Sequence, residues 1–182
     1  RTLLAAGYFE SIAFSAEDQQ RADQYRDNAR RVALQKQSGG VDDYLLSLDM
    51  RLTFQPFDDA GRARIAQLIN KSNQFNLTTR RYTLGEMEAA AADGRHIGLY
   101  GKLSDRFGDN GVVSVVLGRI DGHDLHLDLW LISCRVLKRD MELAILDRLV
   151  EHAHAAGIRT IYGYYLPTQK NSIVAHHYEK IG

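Results

Sequence analysis

"DLWLISCRVLKRDMELAIL", residues 128–146, sets the frame for the chain. An apolar run up to Ile132 reads as a strand. A short polar turn follows, with Ser133, Cys134 and Arg135 on it. Met141 to Ala156 then reads as a long amphipathic helix, closed by Gly157. Strand, turn and helix in that order are the building unit of an α/β domain.

The same alternation extends in both directions. Upstream lie three strands, His96 to Leu103, Gly111 to Ile120 and Leu125 to Ser133, with "DGHD" at 121–124 as the hairpin turn between the last two. Before them, "TLGEMEAAAADG" is a helix opened by a Thr83–Glu86 capping box. Ala60 to Asn73 is amphipathic, with Ile65, Leu68 and Ile69 on one face. "MRLTFQPF" is a strand stopped by Pro56. Downstream, "RTIYGYYLP" is a strand and "NSIVAHHYEKIG" a helix. Residues 1–14 read as a short helix and strand, with Gly7 as the helix stop. A polar helix follows, with Ser15 and Asp18 as its cap-like start and "SGG" at 38–40 as its end. A second short helix covers Asp42 to Leu48.

Composition bounds the class. The 182 residues are 45% hydrophobic, enough for one good core. Lys plus Arg is 23 and Asp plus Glu is 23, so no global field recruits nucleic acid or an anionic membrane. Apolar runs stay short of the ~18 residues that span a bilayer. The single cysteine rules out an internal disulfide and fits a reducing compartment, so a cytoplasmic location is expected. Arg1 is not an initiator methionine, and both ends read as cuts through a larger protein.

Three places carry chemistry. The first is Cys134. A thiol near a helix N-terminus and beside Arg135 is favoured as thiolate and as nucleophile, whereas a lone cysteine ending an apolar strand also serves as packing. Strand parity puts His126, Asp128, Trp130, Ile132 and Cys134 on one face, yet Asp128 lies roughly 20 Å along the strand from Cys134. Any base must come from another element. The second is Asn171 with Tyr178, about two helical turns apart and so on one face, where the phenol can donate a proton. The third is "NKSNQFNLTTRRY", residues 70–82, far richer in amides, hydroxyls and cations than a plain loop needs. The histidines match no zinc-ligand spacing, so no metal is assigned.

The order of elements, with "PTQKN…HHYEKIG" at its end, resembles the GNAT acyltransferase fold, a mixed and mostly antiparallel sheet flanked by helices. More specifically, "YLLSLDM", "RIAQLINKSNQFNLTTRRY", "LISCRV" and "YYLPTQKN" resemble the C-terminal half of FkbH-like proteins, in which a HAD-type phosphatase-like domain precedes a GNAT-like domain. On that resemblance residues 1–49 are the end of the HAD-type domain plus a helical connector, and residues 50–182 are the acyltransferase domain.

The resemblance implies transfer of a glyceryl unit from 1,3-bisphosphoglycerate to the phosphopantetheine thiol of an acyl carrier protein, in polyketide-type biosynthesis. Magnesium would belong to the HAD-type domain. Cys134 is the implied covalent way-station and Tyr178 the proton donor. Asn70, Asn73, Asn76, Thr78, Arg80, Arg135 and Asn171 are the expected substrate-binding residues. One departure stands out. GNAT enzymes bind the CoA pyrophosphate on an Arg/Gln-x-x-Gly-x-Gly turn, and aligned on Arg135 this chain has Lys138 and Asp140 in place of the glycines. Lys138 and Arg139 are expected to meet an acidic carrier surface. Two rival readings are a CoA-dependent N-acetyltransferase and a non-catalytic module that docks the carrier.

Overall fold

The computed structural model describes residues 16–181, with side chains from residue 23 onward. The expected elements of residues 1–14 and the Ser15 cap lie outside them. The chain divides into a helical part ending at Leu48 and an α/β part from Asp49. The first contains α1 (Ala16–Gln37) and α2 (Val41–Ser47).

The second part is a six-stranded sheet between helices. Its elements are β1 (Arg51–Pro56), α3 (Asp59–Lys71), β2 (Phe75–Asn76), α4 (Leu84–Ala92), β3 (His96–Asp105), β4 (Gly108–Asp121), β5 (Asp124–Ile132), α5 (Glu142–Ala155), β6 (Thr160–Tyr162) and α6 (His177–Ile181). The sheet order is β1-β3-β4-β5-β2, with β6 also on β5; every pairing is antiparallel except β5 with β6.

Local chemistry explains the helix starts. Asp58 caps α3 by accepting from the Gly61 amide at 2.7 Å. Thr83 and Glu86 form the capping box of α4. One apolar layer joins Ile65, Leu68 and Ile69 of α3 and Met87 of α4 to Leu129 and Leu131; the other joins Ile145 and Leu149 of α5 to Leu125, Leu127, Trp130 and Ile132. Each side chain of that size contributes roughly 1.5–3 kcal/mol when fully buried.

Those two sets expose an irregularity. Leu127 pairs with Gly118 but Leu129 pairs with Leu117, so Asp128 is an extra residue in β5. This β-bulge reverses the alternation: odd residues face α5 before it and even residues after it. The single-face reading of His126, Asp128, Trp130, Ile132 and Cys134 is therefore corrected. His126 lies on the opposite face from Trp130 and Ile132.

β5 and β6 pair over only three positions, from Asp124↔Thr160 to His126↔Tyr162. Beyond that the edge of β5 is taken by β2, with Phe75 opposite Ile132 and Asn76 opposite Leu131. The Leu77 amide donates to Trp130 O at 3.1 Å, and the Leu166 amide to Leu77 O at 2.8 Å. The polar segment is thus inserted as a strand between β5 and the chain that continues β6. That insertion is why "RTIYGYYLP" forms a ladder over only three residues. The C-terminal helix also differs from expectation: Ser172–Val174 is a 3-10 turn and α6 starts at His177.

Candidate functional site

The inserted segment is no solvated loop. Phe75, Asn76, Leu77 and Thr78 are all buried. Asn76 Oδ1 accepts from the Thr79 amide at 2.9 Å, in a turn where Thr79 takes a left-handed φ of 55°. The Thr78 hydroxyl donates to Asp128 O at 2.7 Å and so satisfies the bulge carbonyl. Arg80 donates to the Asp128 carboxylate at 2.5 Å. Asn70 donates to Ala66 O at 2.9 Å, at the end of α3. Arg81 donates to Asn73 Oδ1 and to Ser72 O.

Asn171 clamps the segment from the other side. It is fully buried. Its amide nitrogen donates to Asn76 O at 2.9 Å and Leu166 O at 3.0 Å; its oxygen accepts from the Thr168 amide at 2.7 Å and the Thr168 hydroxyl at 3.0 Å. All of its polar capacity is spent inside the protein. It makes no side-chain cap bond to the 3-10 turn that follows, and it does not share a helix with Tyr178. The two sequence motifs meet in space nonetheless: Asn73 and Thr79 line a pocket of about 300 Å³ with Thr168, Gln169 and Lys170.

Cys134 is exposed, so it is not a packing residue. It begins a three-residue 3-10 turn, Cys134–Val136, and α5 starts only at Glu142. The helix-dipole argument for its thiolate is corrected accordingly, because that field fades within one turn. The β2–β5 register carries Asn73 toward the Cys134 end of β5. Arg135 donates to Asn110 O at 3.3 Å and Ser133 Oγ at 3.4 Å.

Between Cys134 and α5, Lys138 and Asp140 both hold left-handed backbone, with φ of 64° and 51°. Such conformations cost non-glycine residues about 1–2 kcal/mol each. The turn therefore keeps a glycine-like path while carrying side chains. Arg139 is buried and paired with Asp105 at 3.1 Å, which ties the turn to the β3–β4 hairpin. The expectation that Arg139 meets a carrier surface is corrected; Lys138 remains exposed.

A cleft of about 490 Å³ opens beside this turn, lined by Phe75, Leu143, Ile173 and His177, with Lys138, Lys180, Asp140 and Glu142 around it. His177 is buried among aromatic rings, 4.7 Å from Trp130 and 5.1 Å from Phe75 between centroids. Burial lowers its pKa to about 4, with a smaller push from Lys180. Tyr178 packs on it at 5.3 Å. Burial drives the Tyr178 phenol well above its ordinary range, partly offset by the Tyr164 backbone. Trp130 Nε1, His177 Nε2, Tyr178 Oη and Asn76 Nδ2 are all buried without a hydrogen-bond partner of normal geometry, and of these residues only His177 lines the cleft. From sequence, His176 and His177 stand only as candidate bases for Cys134, and the packing of His177 against Trp130 is missed, because nothing in their spacing signals it.

The walls of this cleft are mainly apolar, and Asp140 and Glu142 offset Lys138 and Lys180, which disfavours a pyrophosphate there. Among the described residues no group of three or more His, Cys, Asp or Glu is placed to hold a metal ion. None of the described helices is long and apolar enough to cross a membrane.

No protein-family model and no curated protein sequence matches the chain. Solved structures do. Spermidine N-acetyltransferase from Vibrio cholerae, in complex with CoA and spermine, is 15% identical over 72% of this chain and 79% of its own, with a TM-score of 0.54. The aminoglycoside 6'-N-acetyltransferase AAC(6')-Ih from Acinetobacter baumannii is 9% identical over 72% and 90%, with a TM-score of 0.55. A GNAT-family acetyltransferase from Streptococcus pneumoniae is 19% identical over 72% and 84%, with a TM-score of 0.52. At these identities the likeness speaks for architecture, and the chain has the GNAT acetyltransferase fold: a mixed, mostly antiparallel sheet flanked by helices.

Proposed function

We propose that this chain is an acyltransferase domain that loads a glyceryl unit, derived from 1,3-bisphosphoglycerate, onto the phosphopantetheine thiol of an acyl carrier protein. It would act in the cytoplasm together with a HAD-type domain. One observation carries the reading. The segment most distinctive of FkbH-like proteins, residues 70–82, is the one inserted along β5 toward the Cys134 end. Its Asn73 and Thr79 open with Thr168 onto a polar pocket suited to a small hydroxylated acyl group.

Each group then has a task. The carrier's arm supplies the accepting thiol. Phe75, Leu143 and Ile173 bury its chain beside His177. Tyr178, held protonated by burial, can give a proton. Cys134, exposed at the strand end, can attack the acyl-phosphate carbonyl, so that a thioester forms and inorganic phosphate leaves; the carrier's thiol then displaces Cys134, which departs as a thiol on taking up a proton.

The test is intact-protein mass spectrometry of the full-length protein with 1,3-bisphosphoglycerate and carrier. A hydroxylamine-labile glyceryl adduct on the parent, absent from Cys134→Ala, is expected. No adduct on either protein overturns the reading. Loading of the carrier at the parent rate by Cys134→Ala would mean direct transfer.

A CoA-dependent N-acetyltransferase is the second reading. It is favoured by the fold shared with enzymes that act on spermidine and aminoglycosides, and by the glycine-like path at Lys138 and Asp140. Thiol release from acetyl-CoA in the presence of a polyamine or aminoglycoside would establish it instead.

A further inference from the structure

We propose that the recess beside the Asp128 bulge is a subsite for a small phosphate-bearing ligand, seated on Arg119 and Arg80. The recess measures about 220 Å³ and is lined by Thr78, Arg80, Arg119, His126, Asp128 and Tyr164, with two leucines. It lies across the sheet from the His177 cleft, because the bulge turns His126 to the α3/α4 side.

The cross-strand register builds it. Arg119 is directly opposite His126, and His126 is opposite Tyr162. Side chains at such positions stand side by side on one face. His126 is stacked on Tyr162, 5.0 Å between centroids at 11°, and its Nδ1 lies 2.6 Å from the Tyr164 hydroxyl. The ring is thereby fixed, and its second nitrogen has a set direction.

Charge decides the class of ligand. Asp128 is neutralised by Arg80, whose guanidinium is also held by Tyr82 and remains half exposed. Arg119 is exposed and makes no ion pair or hydrogen bond among the described residues. The recess therefore carries a surplus cation with an unused fork of five donors, a geometry that matches phosphate oxygens two at a time. A polyamine entering it would be repelled. The volume suits a three-carbon phosphate ester and is too small for a nucleotide.

The identity of the ligand rests on the glyceryl-transfer reading, in which both the acyl donor and the carrier's arm bear phosphate. Calorimetric titration of the full-length protein with inorganic phosphate, 3-phosphoglycerate and 4'-phosphopantetheine separates the sources, with spermidine as the amine control. Phosphate and at least one ester should bind. Arg119→Gln should weaken them roughly tenfold while Arg119→Lys retains part of the affinity, and Arg148→Gln, at an exposed cation on α5 paired with Glu151, should change nothing. Tighter binding of 3-phosphoglycerate assigns the subsite to the donor; tighter binding of 4'-phosphopantetheine assigns it to the arm. Absence of phosphate binding, equal binding by Arg119→Gln, or preference for spermidine overturns the proposal. Carrier loading that survives Arg119→Gln unchanged, with no phosphate bound, sinks the subsite and leaves the transfer reading standing. Phosphate binding that depends on Arg119, without any loading, does the reverse.

Discussion

On the α3/α4 side of β5, His126, Asp128 and Arg119 stand in a wet recess where nearly every polar atom has a partner or reaches solvent. On the α5 side, Trp130, His177 and Tyr178 pack ring against ring, and Trp130 Nε1 and His177 Nε2 have no partner. Both surfaces are served by one nine-residue strand. The contrast comes from the extra residue at Asp128, which reverses the alternation halfway along β5. A bulge thus lets one strand present charge to one side and dry aromatic surface to the other. The dry side is expensive to perturb and sensitive to protons; the wet side is tolerant.

Asn171→Ala should have the largest effect. It removes four hydrogen bonds and leaves the Asn76 and Leu166 carbonyls without their donor, so about 3 kcal/mol of stability should be lost in urea denaturation. A loss below about 1 kcal/mol would mean that the β2 insertion does not depend on the clamp.

Acid should separate the two sides next. His177 is held down to about 4 when folded, against about 6.5 when unfolded. Above pH 6.5 it is neutral in both states and costs nothing. As pH falls from about 6.5 to about 4, the unfolded chain takes the proton first, so stability should drop by about 1–3 kcal/mol over that window. His177→Phe should flatten this part of the pH–stability curve. A curve of the same slope in the variant would assign the titration elsewhere.

Thr78→Val tests the bulge itself. The hydroxyl bond to Asp128 O is lost while shape is kept, and about 1 kcal/mol should go with it, read as a lower Tm. The smallest effect is expected for Arg80 with Asp128. A double-mutant cycle with Arg80→Gln and Asp128→Asn should give a coupling below about 1 kcal/mol, because the Arg80 side chain is 53% exposed. A larger coupling would make the wet recess as rigid as the dry cleft and erase the contrast.

The sequence by itself determined the elements that local rules govern. The Thr83–Glu86 box, the amphipathic stripe of Ile65, Leu68 and Ile69, and the three strands around "DGHD" are all present, because caps, helical faces and hairpin turns are settled by neighbours within a few positions. The density of amides in residues 70–82 was also legible as unusual. Only the tertiary structure decided what those amides do. Asn76 and Asn171 meet across a long stretch of chain, and their spacing carries no trace of it. The bulge at Asp128 is defined against Leu117 and Gly118 in the neighbouring strand, so parity counted along β5 alone had to fail. Cys134 is separated from α5 because a left-handed turn, pinned by Arg139 on Asp105, intervenes. Each of these is fixed by a partner distant in sequence, and a periodic pattern records only which face a residue prefers, not what stands opposite it.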